Sequence, residues 1–80
     1  MERKEFDKLI ADKVNSYPKN WRNGQKVFNA AEEVLWEATE FIHNIARAVQ
    51  FEDHVDCFYD DNMIETFLNK CWDKLKKYGY

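Results

Sequence analysis

The stretch Val27-Phe28-Asn29-Ala30-Ala31-Glu32-Glu33-Val34-Leu35-Trp36-Glu37-Ala38-Thr39-Glu40-Phe41-Ile42-His43-Asn44-Ile45-Ala46-Arg47-Ala48-Val49 decides the fold. Within it Phe28, Leu35, Ile42 and Val49 recur at seven-residue steps. Val27, Val34, Phe41 and Ala48 form a second row, and Ala31, Ala38 and Ile45 a third. Rows at that spacing share one side of an α-helix. No proline or glycine interrupts them. The pattern predicts one long helix over residues 24–50, about 39 Å at the α-helical rise, with Asn23 as its N-cap. Periodicity does not register a gentle kink, so a break near residues 36–40 is compatible with the same pattern.

Upstream, Phe6, Leu9, Ile10, Val14 and Tyr17 fall on one face of a helix over residues 2–17. Glu2, Glu5 and Asp7 sit at its start, where the helix dipole favours acids, and Pro18 ends it. Residues 19–23, with Trp21, connect it to the long helix. Downstream the period fails from Phe51 to Asp61, where acids alternate with aromatics. Phe51, Val55, Phe58 and Tyr59 would be costly to leave in water, so the segment reads as an ordered loop. A last helix over residues 62–78 follows, with Asn62 and Glu65 spaced as a capping box. Its apolar face is Met63, Ile64, Phe67, Leu68, Cys71, Trp72, Leu75 and Tyr78. Gly79 is placed as a C′ residue, and Lys74, Lys76 and Lys77 suit the negative end of the dipole. The expected fold is all-α: a single three-helix domain over residues 1–80, with a long central helix and an ordered aromatic and acidic loop before the last one. The outer helices are too short to cover the whole central stripe singly, so a homodimer is one way to bury the remainder.

A chain of 80 residues has little volume for a core, but 45% of this one is hydrophobic and 16% aromatic. Its two cysteines, Cys57 and Cys71, are too few for the framework of a small secreted module, and Cys71 reads as a small core residue. With no apolar leader and no membrane-length apolar run, the expectation is a cytoplasmic protein without a membrane partner.

Charge is segregated. Residues 1–27 carry seven Lys/Arg against four Asp/Glu, residues 28–65 ten acids against Arg47 alone, and residues 66–80 four bases against Asp73. Two readings follow. Basic outer helices can neutralise the acidic centre within the fold, through surface pairs worth about 0–1 kcal/mol each. Alternatively, Glu32, Glu33, Glu37 and Glu40 face a basic partner protein, with Trp36 among them and Trp21 in the connector as aromatic anchors. The basic ends offer a weaker nucleic-acid surface, disfavoured by the net charge of −3.

Candidate chemistry is sparse. Glu40 and His43 have the ExxH spacing of di-metal helical bundles, but such sites need two of these elements and two further glutamates facing a bundle interior, whereas Glu40 and His43 fall on the polar side, opposite Phe41 and Ile45. Asp53, Asp56, Asp60 and Asp61 lack the glycine and glutamate positions of a calcium loop. His54 and Cys57 have no third orienting group, and no glycine-rich phosphate loop occurs. The residues therefore point away from an enzyme and call for no metal or cofactor.

Two segments together carry a resemblance. Arg22-Asn23-Gly24-Gln25, with Phe28-Asn29, forms R-x-G-Q-x-x-F-N, and Asp56-Cys57-Phe58-Tyr59-Asp60 forms D-C-F-Y-D, followed by Asp61, Ile64 and Phe67. Over residues 21–68 this resembles short uncharacterised proteins encoded in bacterial phage and mobile-element regions, although residues 35–45 are longer here than in many of them. The resemblance implies a phage or mobile-element origin and no set activity. Physically, the loop reads as a clasp. Phe51, Phe58 and Tyr59 would plug between helices, Asp56, Asp60 and Asp61 would accept N–H groups at the start of the last helix, and Arg22 or Arg47 would pair with a loop carboxylate. The functional expectation is a non-enzymatic protein-interaction module, of which an inhibitor of a host factor such as a CRISPR nuclease is one form. A small nucleic-acid-binding regulator is the alternative.

Overall fold

Four helices, not three, build the molecule. The computed structural model describes all 80 residues and contains α1 (Arg3–Ser16), α2 (Asn23–Ala38), α3 (Ile45–Glu52) and α4 (Ile64–Lys77), with a short 3₁₀ turn (Asp61–Met63) leading into α4. The all-α class agrees with the sequence. The long central helix does not: it is divided at residues 39–44 into α2 and α3.

Thr39 makes the break. Its hydroxyl is fully buried, accepts the His43 N–H at 3.2 Å, and lies 3.0, 3.2 and 3.1 Å from the carbonyl oxygens of Leu35, Trp36 and His43. A threonine side chain that satisfies backbone groups in this way competes with continuation of the helix. The last turn of α2 closes as a Schellman motif, Glu40 N–H to Glu37 O at 3.0 Å and Phe41 N–H to Trp36 O at 2.8 Å. Asn44 then caps α3 by accepting the Arg47 N–H at 3.3 Å. Phe41 and Ile42, which the heptad rows assign to the core, are consequently 61% and 65% exposed. The same Schellman geometry ends α4 at Gly79, with φ of 90°, where Gly79 N–H meets Lys76 O and Tyr80 N–H meets Leu75 O.

The core joins all four helices: Phe6 and Ile10 of α1; Val27, Phe28, Ala30, Ala31, Val34 and Leu35 of α2; Ile45, Ala46 and Val49 of α3; and Phe67, Cys71 and Leu75 of α4. Each large side chain of this set contributes about 1.5–3 kcal/mol by leaving water. Phe28 is central, with its ring 5.4 Å from Phe67 and 5.8 Å from Phe58. Leu9 and Tyr78, expected in the apolar faces, lie at the surface because α1 buries only a narrow strip and Tyr78 follows the last turn of α4.

The loop after α3 folds back on the start of α2. The N-cap position of α2 is Arg22 rather than Asn23, and its side chain caps nothing. Instead Asp61 Oδ1 accepts the Gly24 N–H at 2.7 Å, and the Cys57 thiol donates to Gly24 O at 3.3 Å. A Cβ at position 24 would lie 1.8 Å from the Cys57 carbonyl oxygen, so only glycine permits this approach. The expected capping box at Asn62 is replaced by Asp60, which accepts the Asn62 N–H at 2.9 Å. Asp56 acts earlier, accepting from the Phe58 N–H and Gln50 Nε2 at 2.8 and 2.9 Å.

Of the expected plugs only Phe58 packs inward. Phe51 and Tyr59 are 64% and 74% exposed. Neither arginine locks the loop by a carboxylate pair. Arg22 lies over the Tyr59 ring at 5.1 Å, and Arg47 bonds Glu32. The two halves of the sequence signature thus meet in space through Gly24 with Cys57 and Asp61, Phe28 with Phe58, and Arg22 with Tyr59.

Candidate interaction surface

The acidic residues singled out in the sequence divide into two groups. Glu32 accepts Arg47 Nε at 2.6 Å, and Lys13 of α1 sits 3.1 Å from Glu33 and 3.8 Å from Glu37. The Lys13 contacts are the neutralisation by a basic outer helix that the charge segregation suggested, whereas Arg47 is the one base of the acidic segment itself. The consequence for Lys13 is a raised pKa, through the hydrogen bond its ammonium donates to Glu33 and despite some burial. Lys74, at the opposite side, behaves alike: burial works against its charge, but Asp53 and Glu52 outweigh it and its pKa rises. Glu40 makes no ion pair. With Glu37, held only at the longer distance, it leaves the C-terminal end of α2 with negative charge not neutralised at close range.

Trp36 lies at that same end, 36% exposed, and borders a shallow depression with Glu32, Glu33, Asn44 and Arg47. Its ring meets Phe41 edge-on with centroids 6.0 Å apart, the apolar contact that accompanies a Schellman ending. Glu40 and Phe41 both hold left-handed backbone, with φ of 55° and 65°. For non-glycine residues that conformation costs about 1–2 kcal/mol each. Thr39 on one side and Asn44 on the other hold the strained pair in place.

Trp21 is not part of this group. It stacks on Tyr17 at 5.1 Å in the α1–α2 connector and is half-buried. The Tyr17 hydroxyl is buried without a hydrogen-bond partner, and burial followed by the charge of nearby Glu33 pushes its pKa up to about 12.

The ExxH pair is not a ligand set: the His43 ring stacks on Tyr78 at 4.0 Å, nearly parallel, with Tyr80 at 6.2 Å. No group of three or more His, Cys, Asp or Glu side chains is arranged to hold a metal ion. Burial, reinforced by Asp56, raises the Cys57 thiol to about 12, and burial raises Cys71 further, so both are thiols at neutral pH. No helix is long and apolar enough to cross a membrane.

Phe41 and Ile42 are the surface residues that the periodic reading misses, because it consigned them to the core. Thr39 and Asn44, two residue types that favour helix ends, flank them and were the available signal. Comparison with protein-family models, curated proteins and solved structures finds no match.

Proposed function

We propose that this chain is a non-enzymatic protein-interaction module that binds a partner with a basic surface through the C-terminal end of α2. The observation that supports it is the coincidence of Glu37 and Glu40, the latter without an ion pair, with the exposed edge of Trp36. Glu32 and Glu33 contribute field but are held by Arg47 and Lys13, so the reading narrows from the whole acidic face to its end. Trp21 is assigned to the connector rather than to this surface. The net charge of −3 favours a protein partner over nucleic acid; of the basic side chains, Arg3, Lys8 and Lys13 pair with Asp7, Asp12 and Glu33 and Arg22 lies over Tyr59, while Lys4, Lys19 and Lys26 make no ion pair. The inhibitor form of the proposal, against a host factor such as a CRISPR nuclease, draws only on the phage or mobile-element origin that the sequence resemblance of residues 21–68 implies.

The test is capture of partners from bacterial lysate by the tagged chain, with the Glu37→Gln/Glu40→Gln variant as control and mass-spectrometric identification. Glutamine keeps length and helix propensity while removing charge. A partner retained at low salt, released as the Debye length shrinks from about 10 Å at 0.1 M to about 3 Å at 1 M, and lost with the variant is expected. Equal capture by the variant at low salt overturns the assignment.

A further inference from the structure

We infer that Phe41 and Ile42 form a preorganised apolar anchor, which inserts into an apolar pocket edged by lysine or arginine side chains on a partner protein. This deepens the reading above and rests on it for the sign of the pocket's rim.

The turn between α2 and α3 decides where these two side chains lie. A continuous helix would have directed both towards the core, as the heptad rows show. Instead the chain spends two consecutive left-handed residues, Glu40 and Phe41, to turn them outward. The fold holds that geometry with the buried Thr39 hydroxyl and the Asn44 cap. Strain maintained by its surroundings is a feature of binding segments, and an anchor already rigid in the free protein loses little freedom on docking.

Phe41 has a second role, since its edge contact with Trp36 completes the end of α2. Ile42 has none beyond a backbone bond from its N–H to Thr39 O. A β-branched side chain 65% in water, beside a phenyl ring 61% in water, is a local apolar patch without an internal explanation.

Charge decides the occupant. Glu40 directly precedes the patch and Glu37 lies about one turn earlier on α2, so a pocket that receives Phe41 and Ile42 brings its rim towards carboxylates, and basic side chains complement them. A second copy of this chain does not meet that requirement. Its open apolar groove lies between α1 and α4, floored by Ile10, Val14, Val27 and Leu68, but Asp7 and Glu65 stand on the rim. Arg3, the base there, is held by Asp7 at 2.9 Å. An acidic turn approaching that groove would meet like charge.

The probe is a pair of synthetic amphipathic helical peptides with the same leucine face, flanked by lysines in one and by glutamates in the other. Binding is read by fluorescence anisotropy, and the contact is mapped by amide shifts of the protein. The lysine peptide is expected to bind at least about tenfold more tightly than the glutamate peptide, with shifts centred on residues 36–44. Ile42→Ser is expected to weaken it about tenfold or more, the effect of truncating an anchor. Ile42→Ser removes a side chain that is 65% in water, so it remains informative if Phe41→Ser disturbs the turn by circular dichroism. Undiminished binding to Ile42→Ser with the lysine preference intact overturns the anchor and leaves the acidic-surface reading standing. Persistence of the lysine preference in Glu37→Gln/Glu40→Gln, with dependence on Ile42 intact, overturns the acidic reading and the basic rim instead. Failure of the lysine peptide to bind, shifts centred on the α1–α4 groove, or a dimer in sedimentation that Ile42→Ser abolishes each overturn the assignment, the last in favour of a second copy.

Discussion

Asp61 caps a helix whose second residue, Gly24, lies 37 positions before it: its Oδ1 accepts the Gly24 N–H at 2.7 Å, in the first turn of α2. The contact does for α2 what a local Ser, Thr or Asp would ordinarily do, and it does so only when the loop and α4 are already in place. Gly24 is therefore held from two sides, by Asp61 at its N–H and by the Cys57 thiol at its carbonyl.

Two substitutions separate the parts of that contact. Asp61→Ala should cost about 0.5–2 kcal/mol, the range for losing an N-cap. Gly24→Ala should cost more than Asp61→Ala, because its Cβ would lie 1.8 Å from backbone that cannot swing aside. Urea unfolding of both variants checks the order; a Gly24→Ala protein as stable as the parent would mean that the loop does not lie against α2.

The turn between α2 and α3 makes opposite demands at neighbouring residues. Thr39→Val should destabilise by about 1–3 kcal/mol, since it removes the acceptor of the partly buried His43 N–H. Glu40→Gly should stabilise by about 0.5–1 kcal/mol, as relief of a left-handed side chain exceeds the entropy that glycine adds to the unfolded chain. Thermal melts distinguish the signs. A destabilised Glu40→Gly would show that the backbone at position 40 is not strained.

Tyr17→Phe removes a hydroxyl that is buried with no partner while retaining the ring stacked on Trp21. It should leave the protein as stable as the parent or up to about 1–2 kcal/mol more stable at neutral pH. A loss above about 1 kcal/mol in urea would indicate a hydrogen bond that the geometry does not show.

Alkaline pH should weaken the fold. Cys57 and Tyr17 rise from 9.0 and 10.0 to about 12 on folding, so between these limits the folded chain holds protons that the unfolded chain has released. Stability then falls as pH rises from about 9 towards 12. Lys13 and Lys74 act in the same direction, because their raised pKa values make their contribution complete below 10.5 and lost as pH climbs through the folded values. Cys57→Ser keeps a donor for Gly24 O and removes the ionisation, so its urea midpoint should decline less steeply over this window. An unchanged slope would mean that the Cys57 thiol is open to solvent.

Local periodicity determined that this chain is helical and which faces are apolar. Phe6, Ile10, Phe28, Leu35, Phe67, Cys71 and Leu75 are legible as core because the three- and four-residue spacing of one face survives any arrangement of the helices. Pro18 and Gly79 mark ends for equally local reasons. What periodicity cannot weigh is competition between a side chain and the backbone. Thr39 and Asn44 break the long stripe by hydrogen bonds that exist only in the folded turn, and so Phe41 and Ile42 passed from core to surface. The cap of α2 was illegible for another reason: its acceptor, Asp61, is distant in sequence, and the contact requires the loop to close on Gly24. The acidic residues were legible as a cluster. Which of them are neutralised within the fold, Glu32 by Arg47 and Glu33 by Lys13, was decided by packing of α1 and α3 on α2, since an ion pair depends on distances that only the tertiary structure sets.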